Sequence, residues 1–202
     1  MEPLIFRYQK PYFPDPASVG ICGTAVNAGV TTLCIALSNF LHSRYLSRTA
    51  YLEVNSSREI SLLNKQTDFS TPFRHQGIFY YPGLTTRSMA EIMNLRYKYY
   101  ILDFGVPNEH TFPEFMRCDH RIVVTNVSIW KSAELERFAK QMQKNNISWN
   151  TVKIIGRDGT KSDYARLHAD FGVQAEPMPV LKDPFHITSG CFRFFEEIMK
   201  GE

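Results

Sequence analysis

The stretch Val19-Gly-Ile-Cys-Gly-Thr-Ala-Val-Asn-Ala-Gly-Val-Thr-Thr32 has the frame of a phosphate-binding loop and lacks its cation. A short apolar run enters a loop, Gly29 and Thr31 stand where such a loop ends, and an amphipathic segment follows at once. In a loop of the form G-x-x-x-x-G-K-[ST], backbone N–H groups and the helix N-terminus surround the phosphates. Lys neutralises their charge and the hydroxyl holds Mg²⁺. The Lys position here is Val30. Two further strand ends carry polar groups. Ala50-Tyr-Leu-Glu-Val-Asn55 presents Glu53 and Asn55 two apart, and Tyr99-Tyr-Ile-Leu-Asp-Phe-Gly105 ends in Asp103. A carboxylate after an apolar strand is the form that holds a metal-bound water near phosphates. It is equally the form that caps the next element, so Asp103 has two readings.

The elements that must position these groups follow from periodicity. Apolar runs at 19–22, 50–54, 78–81, 99–103, 121–125, 151–155 and 173–176 read as strands, several of them apolar on both faces as buried parallel strands are. Between them lie helical patterns. Leu33, Leu37, Phe40 and Leu41 form one stripe, and Leu135, Phe138, Ala139 and Met142 form another within 132–144. This alternation predicts an α/β fold, a three-layer sandwich with a mainly parallel sheet and its ligand edge at the strands' carboxyl ends. Residues 1–18, rich in aromatics and proline, read as an extended N-terminal arm, and 19–202 as one domain.

Composition narrows the classes of function. The chain has 202 residues, 44% of them hydrophobic, enough for one well-buried core. Its net charge of +3 is interspersed, without the clustered basic face of a dedicated nucleic-acid binder. The four cysteines, at 22, 34, 118 and 191, have no CxxC or zinc spacing and suit buried thiols in a reducing compartment, the cytoplasm. No run approaches the roughly 18 apolar residues of a membrane span. Glu109, His110, Glu114, Cys118, Asp119 and His120 cluster in sequence, but with spacings that match no common metal site. The aromatic runs 79–82 and 97–100 read as core rather than as base-stacking platforms. Phe192, Phe195, Ile198 and Met199 share a helical face, and the mixed charges opposite them favour packing on the sheet over lipid binding.

Loop, acid-terminated second strand and strand-Asp-x-Gly together resemble the MinD/ParA branch of deviant P-loop ATPases. Arg121-Ile-Val-Val-Thr-Asn126 is similar to that family's next strand, and Ile154-Ile-Gly-Arg157 to the stretch where it often places a base-contacting residue. Within the branch the chain looks most like the atypical TadZ/CpaE-like members. The resemblance implies a P-loop NTPase-like fold and a nucleotide site comprising Ala25, Val26, Asn27, Ala28, Gly29, Val30, Thr31, Thr32 and Arg157. It implies Mg²⁺ at Thr31 and Asp103 if nucleotide binds, with Glu53, Asn55 and Asp103 as the catalytic set if the protein is active.

The departures from the family loop, approximately K-G-G-x-G-K-T-[ST], are physical. Ala25 replaces the Lys that reaches across a dimer, Val26 and Asn27 replace paired glycines, and Val30 replaces the phosphate Lys. A charge-assisted hydrogen bond contributes about 1.5–3 kcal/mol, so the loss at position 30 alone weakens phosphate binding by about one to two decades. Asn55 also stands where the family has a second acid. The leading expectation is a bacterial localisation, assembly or regulatory protein that recognises other proteins, with ATP binding impaired or lost and any homodimer independent of nucleotide. The alternative is a working ATP- and Mg²⁺-dependent dimerising switch. A tyrosine-kinase relative is disfavoured, since the last 30 residues lack Tyr.

Overall fold

The computed structural model describes residues 16–64 and 70–200. Strands β1 (Ala17–Gly23), β2 (Thr49–Glu53), β3 (Phe73–His75), β4 (Ile78–Tyr81), β5 (Tyr99–Asp103), β6 (His120–Asn126), β7 (Lys153–Arg157) and β8 (Ala175–Pro177) form one sheet in the order β3-β4-β2-β5-β1-β6-β7-β8. Every pairing is parallel except β3 with β4, a hairpin at one edge. Helices α1 (Val30–Tyr45), α2 (Thr86–Met93), α3 (Phe112–Arg117), α4 (Ser132–Lys144), α5 (Lys161–Phe171) and α6 (Phe192–Met199) cover both faces. This is the expected α/β sandwich.

Alternation along the strands divides the core in two. Val19, Ile21, Tyr51, Tyr80, Tyr99, Ile101, Ile122 and Val124 pack with α1 and α6 on one face. Leu52, Tyr100, Leu102, Val123 and Ile154 pack with α3, α4 and α5 on the other. Both faces are apolar because side chains of successive strand residues point to opposite sides and each side is covered. The aromatic runs are core as expected: Tyr80, Tyr97, Tyr99 and Tyr100 are buried, while Phe79 is half-buried beneath Arg48 and Arg74. The last helix also packs as expected, with Phe40 of α1 5.6 Å from Phe192 and stacked 5.1 Å from Phe195, ring centre to ring centre.

Several boundaries move. Ala17 and Ser18, assigned to an extended arm, belong to β1, where they pair with Tyr99 and Tyr100 of β5. Asp119 accepts hydrogen bonds from both the Ser18 amide and its hydroxyl, which anchors the strand's start. Residues 1–15, the rest of the expected arm, lie outside the described residues. The strand expected at 151–155 runs two residues later, because 149–151 form a short 3₁₀ turn, and β8 begins at Ala175 rather than 173. β3 had no periodic signal: three half-buried or exposed residues alternate with nothing to repeat.

Candidate functional site

Parallel pairing brings the carboxyl ends of β1, β2 and β5 together. Ile21 and Glu53 are both register partners of Asp103, so the loop after β1, the end of β2 and the end of β5 share one edge of the sheet. There a cleft of about 500 Å³ is lined by residues 25–32, by Val54, Asn55, Ser56, Ser57 and Glu59, by Phe104, Gly105, Val106, Asn108 and Thr111, and by Arg157. Every residue of the expected loop set lines it, as do Arg157 and Asn55.

The loop is held where it leaves β1. The Gly23 amide donates to the Gly105 carbonyl at 2.7 Å, the Thr24 amide to the Val124 carbonyl at 3.1 Å, and the hydroxyls of Thr24 and Thr125 are 2.9 Å apart. Asn27 and Gly29 adopt left-handed backbone, with φ of 63° and 98°. Asn tolerates this region better than most residues with side chains, and at Gly29 it needs no tolerance. Helix α1 then starts at Val30 without a side-chain cap and without an acidic residue in its first turn. Val30 is 6% exposed and packs into the core, with a methyl against Gly23.

Asp103, expected to help hold Mg²⁺, is fully buried behind Thr31 and Asn55 and, like Glu53, does not itself line the cleft. Thr31 Oγ1 donates to its Oδ2 at 2.7 Å and the Tyr51 hydroxyl to the same oxygen at 2.5 Å. Its other oxygen accepts from Asn55 Nδ2 at 2.8 Å and from the Gly105 amide at 2.9 Å. Four donors engage the carboxyl's two oxygens. Burial pushes its pKa up from the ordinary range, and the donors Tyr51, Thr31 and Gly105 pull it back down in part. The Tyr51 phenol is raised well above its usual value by burial and then by the charge of Asp103, so it stays a donor. Asn55 suits this place because a buried carboxylate needs donors, and a second acid would repel it. Asn55 also turns the chain, its Oδ1 accepting from the Ser57 amide at 2.9 Å.

Glu53 is placed differently from the catalytic expectation. It is fully buried and does not line the cleft. Its carboxylate accepts from the Gly83 amide at 3.1 Å, the Ser57 hydroxyl at 3.3 Å and the Ile60 amide at 3.4 Å. It thereby ties the segment after β2 to the segment after β4. Burial raises its pKa, against the lowering effect of the Gly83 and Ile60 amides. Arg157, last residue of β7, reaches back over the loop and donates through Nη1 to the Ala28 carbonyl at 3.0 Å and the Asn27 carbonyl at 3.4 Å.

Sequence reasoning missed Tyr51, whose signal is a tyrosine two residues before the strand-end acid, on the strand face that meets α1. It also missed Val106, Asn108 and Thr111, which follow β5 without any motif. The sequence cluster at 109–120 disperses: Arg117 pairs with Glu114 at 2.6 Å, Asp119 serves Ser18, and Cys118 is buried against Gly20.

No protein-family model matches the chain, and no curated protein does. Solved structures match its fold. A plasmid partition protein from Borrelia burgdorferi bound to AMPPNP has a TM-score of 0.62 and 14% identity, covering 92% of this chain and 97% of its own. The MinD cell division protein of Aquifex aeolicus has a TM-score of 0.57 and 12% identity over 90% of this chain and 87% of its own. Cobyrinic acid a,c-diamide synthase from Mycobacterium smegmatis, with bound ADP and magnesium, has a TM-score of 0.61 and 11% identity over 91% and 92%. The chain therefore has the fold of P-loop NTPases. Its structural neighbours are ATPases of the ParA and MinD kind, and at these identities the likeness is one of fold.

Proposed function

We propose that this protein is a MinD/ParA-like module of the TadZ/CpaE-like kind that works by protein recognition in localisation, assembly or regulation, with ATP binding impaired or lost. The observation that carries this reading is the state of Asp103. A carboxylate that holds a magnesium-bound water needs a free oxygen facing the cleft, and here both oxygens are engaged, one of them by the Tyr51 phenol as well as by Thr31. Val30 adds no cation, and Ala25 has neither charge nor reach to cross a dimer interface. Together these features support a weakened fit to Mg·ATP.

Protein recognition is supported by the apolar side chains around the cleft. Val26 after β1 and Trp130 after β6 are 79% and 87% exposed, and Ile129 and Val106 are exposed on the same strand-end edge. Exposed tryptophan flanked by aliphatic groups is the composition of an interface anchor. A homodimer, if formed, draws on such area and not on nucleotide, so sedimentation with and without Mg·ATP gives the same mass. The cytoplasm is the proposed compartment; among the described residues no helix is long and apolar enough to cross a membrane.

The second reading, an ATP-dependent switch, is favoured by the cleft itself, whose volume of about 500 Å³ falls within the range of small-ligand sites. Calorimetric titration with Mg·ATP separates the two. The pseudo-ATPase reading expects no binding tighter than about millimolar. A micromolar dissociation constant replaces it with the switch.

A further inference from the structure

We infer that Arg157 is an intramolecular plug of the phosphate-type loop: its guanidinium occupies the space over Gly29 and fastens the loop through backbone carbonyls. A Cβ built on Gly29 would lie 2.5 Å from Nη1, 3.2 Å from Cδ and 3.3 Å from Cζ of Arg157, so the arginine packs into the space that the glycine leaves beside the loop, along one wall of the cleft. Its Nη1 donates to the carbonyls of Ala28 and Asn27. A loop that holds phosphate turns N–H groups toward its ligand. This one turns two consecutive carbonyls toward a cation, which the left-handed φ angles at Asn27 and Gly29 accompany.

The charge arithmetic agrees with the geometry. Among the described residues Arg157 pairs with no carboxylate, and the neighbouring Asp158 is engaged by Asn126 Nδ2 at 3.0 Å. The guanidinium is thus met by carbonyl dipoles alone. Val30 and Arg157 both line the cleft, so a Lys at position 30 would add a second cation to the site that Arg157 already occupies. The plug predicts the opposite sign from a ligand-contacting role. A residue that holds nucleotide weakens binding when removed, and a plug does not.

The inference does not depend on whether the protein binds ATP, and its first test needs no ligand. The Ala28 amide donates only to the Ala25 carbonyl, at 3.3 Å, so its hydrogen exchange reports opening of the loop. In Arg157→Ala, exchange at Ala28 rises by about tenfold or more, the factor expected for losing a charged hydrogen bond, while amides of β5 are unchanged. Arg157→Gln, which keeps a donor without the charge, gives a smaller rise. Unchanged exchange at Ala28 overturns the plug. Should the alanine variant not fold, the glutamine variant carries the same comparison. Titration of Mg·ATP then gives the second reading: Arg157→Ala binds at least as well as wild type. Binding present in wild type and abolished in Arg157→Ala would make Arg157 a ligand group and overturn the inference, leaving the failure of the pseudo-ATPase reading to be seen separately in the wild-type titration.

Discussion

The hydroxyl of Tyr51 lies 2.5 Å from Oδ2 of Asp103, inside the core, on strands adjacent in the sheet but separated by two others in chain order. A phenol from β2 thereby donates to the same carboxylate oxygen that Thr31 of the loop helix uses, and a buried hydrogen-bond network lies behind the cleft. Tyr51→Phe keeps the ring and its contact with Tyr80, 5.2 Å away, and removes only the donor. The expected loss is about 1.5–3 kcal/mol of stability, since the acceptor is a carboxylate. Urea unfolding measures it, and a loss below a few tenths of a kcal/mol would show that the network contributes nothing.

Asp103→Asn moves stability the other way at neutral pH. The folded carboxyl has a pKa raised above its unfolded value, so between the two values the folded state keeps a proton that the unfolded state has released. The stability from this group is complete below the unfolded value near 3.8 and is lost as pH rises through the folded value. Glu53, also raised, acts in the same sense. An amide does not titrate, and the two hydroxyls facing it can accept as well as donate. The variant is therefore more stable than wild type at pH 7, and the gap closes toward pH 4. Denaturation at pH 4, 5.5 and 7 reads this directly; a gap that widens on acidification contradicts it.

Glu53→Gln separates scaffold from chemistry. Replacing one oxygen by an NH₂ sets donor against donor at Gly83 or at Ile60, leaving a buried amide unsatisfied at about 1–3 kcal/mol. Hydrogen exchange should rise at Ile60 or at Gly83, whichever amide faces the NH₂, and stay constant at Ala28. A change confined to the loop would place Glu53 in the cleft's working set after all.

Val30→Lys does not restore a phosphate site. The new ammonium must leave a core position and approach Arg157, so the variant is destabilised by roughly 1–3 kcal/mol and still binds Mg·ATP no tighter than about millimolar. Paired with Arg157→Ala, the repulsion is gone and the cradle is open, and part of the stability returns. Equal stabilities of the single and double variants, by thermal unfolding, would mean the two positions do not interact.

Much of this protein was legible in residue order alone. Alternating apolar periods gave seven of the strands to within a few residues, and they gave α1, α4 and α6, because each buried face repeats locally every two or 3.6 residues. Gly29, Thr31 and Asp103 announced a shared strand-end edge, since parallel pairing leaves few other places for them. The tertiary structure decided how the side chains at that edge are partnered. Tyr51 reads as one more core aromatic until β2 and β5 pair and its hydroxyl meets Asp103. Glu53 reads only as a strand-end acid until the segments after β2 and β4 bring the Ile60 and Gly83 amides to its carboxylate. Arg157 stands about 130 residues from the carbonyls it binds, and no local pattern records that meeting. Periodicity is a property of neighbours in sequence, whereas the saturation of a carboxylate or the filling of a loop depends on side chains that only folding brings within 3 Å.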